Sequence, residues 1–370
     1  MQRLSDSDEA VLHRLAEALV DQHAARVVVR PQRNAAGFWF GGGNMVSLAD
    51  GSLLLVGRYR NAGDSRLGVA AGERGLELAI FRADGVNAEF EQVLSLKKEQ
   101  LTVGQRRVLS IEGAALHLAA DGACELFVSI EKAGIDYPAG LNEFLKPGAG
   151  VWTIDRIAAD SFERLADASL HSLLDSNDPR YLHVKDPSLY DGSDGMRMLL
   201  FCSHPYCWTS SNSGYALLQD GGAEIGSAVY DFFPRGPAWD VAITRVTCVC
   251  DVPRVGRFRD RQVSLVFYDG GECLRDLDHH TSAVVRPRGY SCEELGGVAY
   301  VLDGDFKHVE RLSRVRPSFV SPWGTGCSRY VDVLKTPAGL CATWQQSQAD
   351  GSQPLVMNFV PADSVEQILA

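Results

Sequence analysis

The stretch HVKDPSLYDGSDGMRMLLF, residues 183–201, decides the fold. It holds an Asp-Pro pair, an alternating run, a turn rich in Asp and Gly, and a strongly apolar return, which together make a β-hairpin. Asp186 is either a turn residue ahead of a proline or a group held in a pocket for chemistry.

Four further stretches follow the same plan. NMVSLADGSLLLVGRYR starts at Asn44 and EGAALHLAADGACELFVSIEK at Glu112. DVAITRVTCVCDVPRVGRFRDRQVSLVFYDGGEC starts at Asp240, and SRYVDVLKTPAGLCATWQQSQ at Ser328. More strand-like sequence comes after each hairpin: LELAIFRAD, GVWTIDRIA, SGYALLQ, GVAYVLD and PLVMNFVP. The starts lie roughly 55 to 90 residues apart, and a period of that size with several strands per unit marks propeller blades. The expected fold is all-β: a single five-bladed β-propeller over 25–370, preceded by a short helix over 1–24. A β-sandwich does not account for five similar hairpins.

Residues 1–24 read as an amphipathic helix that Ser5, Asp6 or Ser7 can cap. Val11, Leu12, Leu15, Leu19 and Val20 form its apolar stripe. Segment 24–32 offers an outer, closing strand for the last blade.

Composition excludes several function classes. With 45% hydrophobic and 22% charged residues the chain can bury a core, and a net charge of −11 argues against nucleic acid or an anionic membrane surface as partner. No apolar run of about 18 residues offers a membrane span. An acidic N-terminus without an apolar stretch is no signal peptide, and nine cysteines are an odd number, so the expectation is a cytoplasmic protein with free thiols. CVC at 248–250 reads as buried structural cysteine, and His279-His280 is too isolated for a metal site. No Gly-rich phosphate loop precedes a helix and no Ser-centred elbow is present, so neither a metal nor a cofactor is expected.

In a propeller the first strand of every blade lines the central channel. Asn44, Glu112, Asp186, Asp240 or Arg245, and Ser328 or Arg329 therefore converge on one polar ring at a funnel mouth, a place for a small polar ligand. Arg58 and Arg60 alternate onto one side of their strand, where they need carboxylates or an anionic ligand. Asn61, Asp64, His204, Trp323, Gln345 and Gln346 add amide, aromatic and acidic groups in loops and at strand starts, suited to sugar hydroxyls.

KDPSLYDG (185–192), LSIEGAALH (109–117) and NMVSLADGSLLLVGRYR (44–60) resemble the strand starts of the five-bladed propeller glycosidases. That group includes arabinanases, β-xylosidases, invertases and mannoside phosphorylases. The resemblance implies a glycoside hydrolase acting on a small carbohydrate with paired carboxylates in the funnel. A phosphorylase that holds phosphate with clustered arginines, or a non-catalytic sugar-binding propeller, are the alternatives. The family has an Asp where this chain has Asn44, which cannot act as base or nucleophile. The catalytic candidates are then Asp186, tuning the acid and stabilising positive charge at the anomeric carbon; Glu272 or Glu294 as acid; and Asp240 as base. The carboxylates also have plainer readings: Asp186 as a turn residue before proline, Asp240 as a strand-edge residue, Glu112 as the partner of a buried Arg such as Arg58, and Asp269 or Asp276 as solvated loop charges.

Overall fold

The computed structural model of the chain describes residues 3–61, 75–101, 106–145, 147–193, 195–272 and 294–370. The expectation for Asp64, and those for Asp276 and His279-His280, fall outside them.

Helix α1 (Asp6–Leu19) opens on Ser5, whose side chain accepts from the Asp8 amide. Strand β1 (Arg26–Val29) follows. Blade 1 is β2 (Trp39–Gly41), β3 (Met45–Ser47), β4 (Leu53–Arg60), β5 (Glu77–Ala83) and β6 (Glu91–Lys97), with β2 and β3 both paired to β4. Blade 2 is β7 (Val108–Leu118), β8 (Cys124–Lys132), β9 (Val151–Ala159) and β10 (Leu170–Leu174). Blade 3 is β11 (His183–Asp191), β12 (Arg197–His204), β13 (Asn212–Gln219) and β14 (Glu224–Phe233). Blade 4 is β15 (Ile243–Asp251), β16 (Val263–Gly271), β17 (Leu295–Leu302) and β18 (Glu310–Arg311). Blade 5 is β19 (Ser328–Thr336), β20 (Gly339–Gln346) and β21 (Leu355–Pro361), and α2 (Ala362–Leu369) ends the chain. β1 pairs antiparallel with β21, so the N-terminal segment supplies the outer strand of the last blade and closes the ring.

The five-bladed propeller explains why the inner hairpins are so apolar. Each sheet is covered on both faces, and an apolar layer fills every gap between neighbouring blades. α1 and α2 extend the layer between blades 4 and 5, where Val11, Leu12, Leu15 and Leu19 meet Val356, Trp344 and both Cys248 and Cys250. The seven described cysteines are free thiols.

Gln22, just after α1, straps this layer. Its Nε2 donates to Ser328 Oγ (2.9 Å), and its Oε1 accepts from Gln346 Nε2 (2.9 Å) and Trp344 Nε1 (3.4 Å). Gln22→Ala strands those buried groups and is expected to cost about 1–3 kcal/mol. Calorimetry should show Tm falling by roughly 1–4 °C. An unchanged Tm would mean that the strap is not a stabilising element.

Candidate active site

One residue too many sits in every innermost strand at the same height. Between β7 and β8 the register runs from Ile111↔Ile130 to Ala114↔Val128, so Glu112 and Gly113 face a single partner residue. Asp186 and Pro187 do the same in β11, Thr247 is the extra residue in β15, and Tyr330 and Val331 bulge in β19. In blade 1 the innermost strand is broken outright, from Gly41↔Arg58 to Met45↔Leu55. A bulge bends a strand and re-aims its side chains, and four of them with the break in blade 1 turn a packed channel into a floor of side chains facing the axis. Asp186 and Tyr330 both take φ of +55°, a conformation a non-glycine residue holds only where its surroundings impose it.

Bonds at this level close a ring. Ala114 N–H donates to Gly42 O (2.8 Å), and Gly113 N–H donates to Asp186 Oδ1 (3.1 Å). Arg245 Nη1 donates to Asp186 Oδ2 (3.0 Å), Thr247 Oγ1 to Val331 O (2.8 Å), and Met45 N–H to Asp332 Oδ2 (2.9 Å). Asp186, the residue with which the sequence reading began, is thus clamped by blades 2 and 4 and only 4% exposed.

Arg245 is the hub of the mouth. Its Nε and Nη2 donate to Asp269 Oδ2 (3.0 and 2.7 Å), its Nη1 reaches Asp186 Oδ2 and Glu294 Oε1 (3.0 and 3.4 Å), and its Nη2 also binds Glu294 Oε2. Arg329 Nη1 donates to Glu294 Oε2 at 2.6 Å. Arg58 forms a second buried pair, giving Nε and Nη2 to Glu112 Oε2 (3.1 and 2.8 Å). Tyr330 lies among the three guanidinium groups, its ring centre 4.1 Å from Arg245, 5.4 Å from Arg329 and 5.5 Å from Arg58. At the rim Trp39 is held between Arg60 (4.2 Å) and Arg329 (4.5 Å). Gln345, with its oxygen toward the guanidinium, accepts from Arg329 Nη2 (2.9 Å) and Nε (3.2 Å).

The electrostatics separate the carboxylates. Burial works to raise Glu294, but Arg245 and Arg329 outweigh it and hold its carboxyl well below the usual range. Burial lifts Asp269 up to about 7 against the pull of Arg245. Arg245 is driven the other way: burial opposes its charge, and Glu294, Tyr330, Asp269 and Asp186 more than restore it.

The sequence candidates divide accordingly. Asp186, Glu112, Arg58, Arg245, Glu294, Arg329 and Gln345 come together at the mouth. Arg60 and Asn61 stand at its rim at the end of β4, and half-buried Glu272 stands one residue past β16. Asn44 lies in the floor, where its amide donates to Leu116 O (2.9 Å) and accepts from Leu116 N–H (2.7 Å), a bridge between blades 1 and 2. His204 stands behind Asp186: its Nδ1–H donates to Ser210 O (2.9 Å), and its Nε2 faces Cys202 Sγ, which in turn donates to Asp186 Oδ2.

Three candidates go elsewhere. Asp240 turns under Trp239 into the layer between blades 3 and 4, fully buried, with Arg311 Nε (2.8 Å) and Tyr268 OH (3.3 Å) on its Oδ2. Turned into the layer between two blades rather than toward the axis, Asp240 does not stand in the funnel as a base. Gln346 points to the opposite face of β20 from Gln345 and is bound by Gln22. Trp323 sits in the blade 4–5 connection, edge-on to His23. Asp269, in contrast, is no solvated loop charge. It is fully buried in β16, and a carboxylate inside VSLVFYDGG has to find a cation there. Tyr330, Trp39 and Lys185 complete the mouth, and their signals were adjacency to Arg329, an aromatic before a Gly run, and adjacency to Asp186.

No protein-family profile and no curated protein matches the chain. Solved structures do match it in fold. A glycoside hydrolase superposes with TM-score 0.59 at 12% identity, covering 96% of each chain. The β-1,2-mannobiose phosphorylase from Listeria innocua matches with TM-score 0.54 at 11% identity, over 92% of this chain and 96% of its own. The GH43_1 enzyme from Xanthomonas citri complexed with xylose matches with TM-score 0.53 at 10% identity, over 98% and 95%.

Proposed function

We propose that this protein is a glycosidase that takes a small carbohydrate at the mouth of its central funnel. The observation that carries the reading is the approach of two carboxylates, Asp186 and Glu294, to one nitrogen of Arg245. Glycoside hydrolysis asks for two carboxyl groups within about a sugar ring of each other, in different protonation states. Glu294, kept ionised by two arginines, supplies the anionic carboxyl that can orient the attacking water. Asp186, anchored and aimed by its bulge, supplies a fixed anion to the positive charge that grows at the anomeric carbon. The acid role goes to Glu272, a reading supported by the β16–β17 pairing (Gly270↔Leu295), since Glu272 follows β16 where Glu294 precedes β17. Trp39 offers a flat apolar face for a sugar ring.

One observation favours phosphorolysis as a second reading. Asn44 is locked to Leu116 and supplies no carboxylate, while Arg58, Arg60, Arg245 and Arg329 surround the mouth. Phosphate needs cations to bind and no carboxylate base to attack. A panel of aryl glycosides and disaccharides, with and without phosphate, decides between the two. Hydrolysis predicts release of sugar without phosphate, and phosphorolysis predicts release only with it. Binding without release of any kind overturns both and leaves a sugar-binding module.

A further inference from the structure

Among the described residues, Lys185 is a cation of this mouth that holds no carboxylate at hydrogen-bonding distance. Arg58, Arg245 and Arg329 each hold a carboxylate at hydrogen-bonding distance. The carboxylate that Lys185 approaches among the described residues is Asp186, at 3.9 Å, beyond a hydrogen bond, yet its side chain is 12% exposed. It lies over two indoles instead, with Nζ 4.9 Å from the ring centre of Trp152 and 5.7 Å from that of Trp208.

The walls of this recess are neutral and fixed. Trp208 takes φ of +56°, a strained conformation for a bulky residue, and the strain aims its indole between His183 (4.3 Å) and His204 (4.5 Å). His183 Nδ1 accepts from Trp152 N–H (3.4 Å), so its proton sits on Nε2 facing Tyr137 OH (3.1 Å). His204 carries its proton on Nδ1. Burial, and after it the Lys185 charge, pushes both imidazoles down, His183 to about 3, so the rings stay uncharged. The ammonium therefore has three donors, aromatic faces around it, and one distant carboxylate already bonded to Gly113 and Arg245. Cation–π contact offsets part of its desolvation but satisfies none of those donors.

We propose that Lys185 receives an oxyanion, so that the ligand of this funnel is an anionic one. The assignment rests on the glycosidase reading and narrows its substrate class. The oxyanion is either the carboxylate of a uronic-acid sugar, next to the ring that Asp186 faces, or free inorganic phosphate bound beside a neutral sugar. Both offer the negative oxygens that an ammonium among aromatic rings lacks.

Isothermal titration of the parent protein and Lys185→Met with xylose, glucuronate and inorganic phosphate tests this. Methionine keeps the length of the side chain and its contact with the indoles while removing the charge. The parent is expected to bind one of the two anions at least about 10-fold more tightly than xylose, as one hydrogen bond to a charged group allows. In Lys185→Met that ratio should collapse toward one, and Lys185→Arg should recover part of it. Preference for glucuronate identifies the carboxylate source, and preference for phosphate identifies the co-substrate. A parent that binds neither anion better than xylose, or a Lys185→Met protein that keeps the preference, overturns the assignment. A protein that binds anion through Lys185 but no sugar upholds it and overturns the glycosidase reading.

Discussion

Arg245→Met is expected to lower Tm by roughly 5 °C and to remove ligand binding. The guanidinium serves Asp186, Asp269 and Glu294 at once, and all three lie in or beside the buried floor. Methionine fills part of the space but leaves, among the described residues, Arg329 bonded to Glu294 and Lys185 3.9 Å from Asp186, and no cation bonded to Asp269. Breaking a buried pair by removing one partner costs about 3–5 kcal/mol. Unfolding entropy of about 2 cal/mol/K per residue converts that to several degrees in a chain of this length. The loss should depend on pH, and the sign is fixed. Burial already holds Asp269 up to about 7 against the pull of Arg245, and without the arginine its folded-state pKa rises further above the unfolded value. A carboxyl raised in this way favours the fold at low pH and ceases to do so as pH rises through its folded value. In the parent, Glu294 behaves oppositely: its lowered pKa contributes stability above the unfolded value, lost only in strong acid. The gap in Tm between parent and variant should therefore widen as pH rises from about 7, the folded value of Asp269 in the parent, toward about 9. Melting curves across that range check it, and a gap that is constant or narrows would show that the carboxylates do not depend on Arg245.

The blades were legible in the sequence because their cause is local. A turn of Asp and Gly between two apolar runs makes a hairpin whatever surrounds it, and five such hairpins leave few ways to cover their faces. Asp186 was legible for a related reason: Pro187 marks the point where β11 departs from its register. The Arg58–Glu112 pair could be anticipated because both residues interrupt apolar strands. Asp240 misled because a Trp beside an acid looks alike whether the pair faces a ligand or a neighbouring blade. What separates the two cases is Arg311, 71 residues further on. The ring of bulges was hidden for the same kind of reason. A bulge is a difference of one residue between two paired strands, and register is set by the pairing, not by either strand alone. Asp269, Glu294 and Arg329 meet only because blades 4 and 5 are neighbours at the axis.

Asp186→Asn should separate the chemistry of this floor from its architecture. Asparagine tolerates a left-handed backbone nearly as well as aspartate, so the φ of +55° survives. Its carboxamide oxygen still accepts from Gly113 N–H, the bond that ties blade 3 to blade 2. What changes is the second atom: an NH₂ now meets Arg245 Nη1 and Cys202 Sγ where an anionic oxygen accepted from both. Arg245 keeps Asp269 and Glu294, so the structural loss is limited to about one charge-assisted bond, roughly 1.5–3 kcal/mol. The functional loss is larger under the glycosidase reading. A preorganised charge aimed at the site where opposite charge develops is worth about 10²-fold or more in turnover, because it needs no reorganisation in a site that excludes water. Asp186→Ala provides the contrast: it removes the charge and also the side chain best suited to a positive φ, so it should lose both turnover and several degrees of Tm. Turnover by Asp186→Asn equal to that of the parent, on the glycoside the panel identifies, would make Asp186 a clamp between blades 2, 3 and 4 and leave Glu294 as the one carboxylate of this floor that serves the sugar.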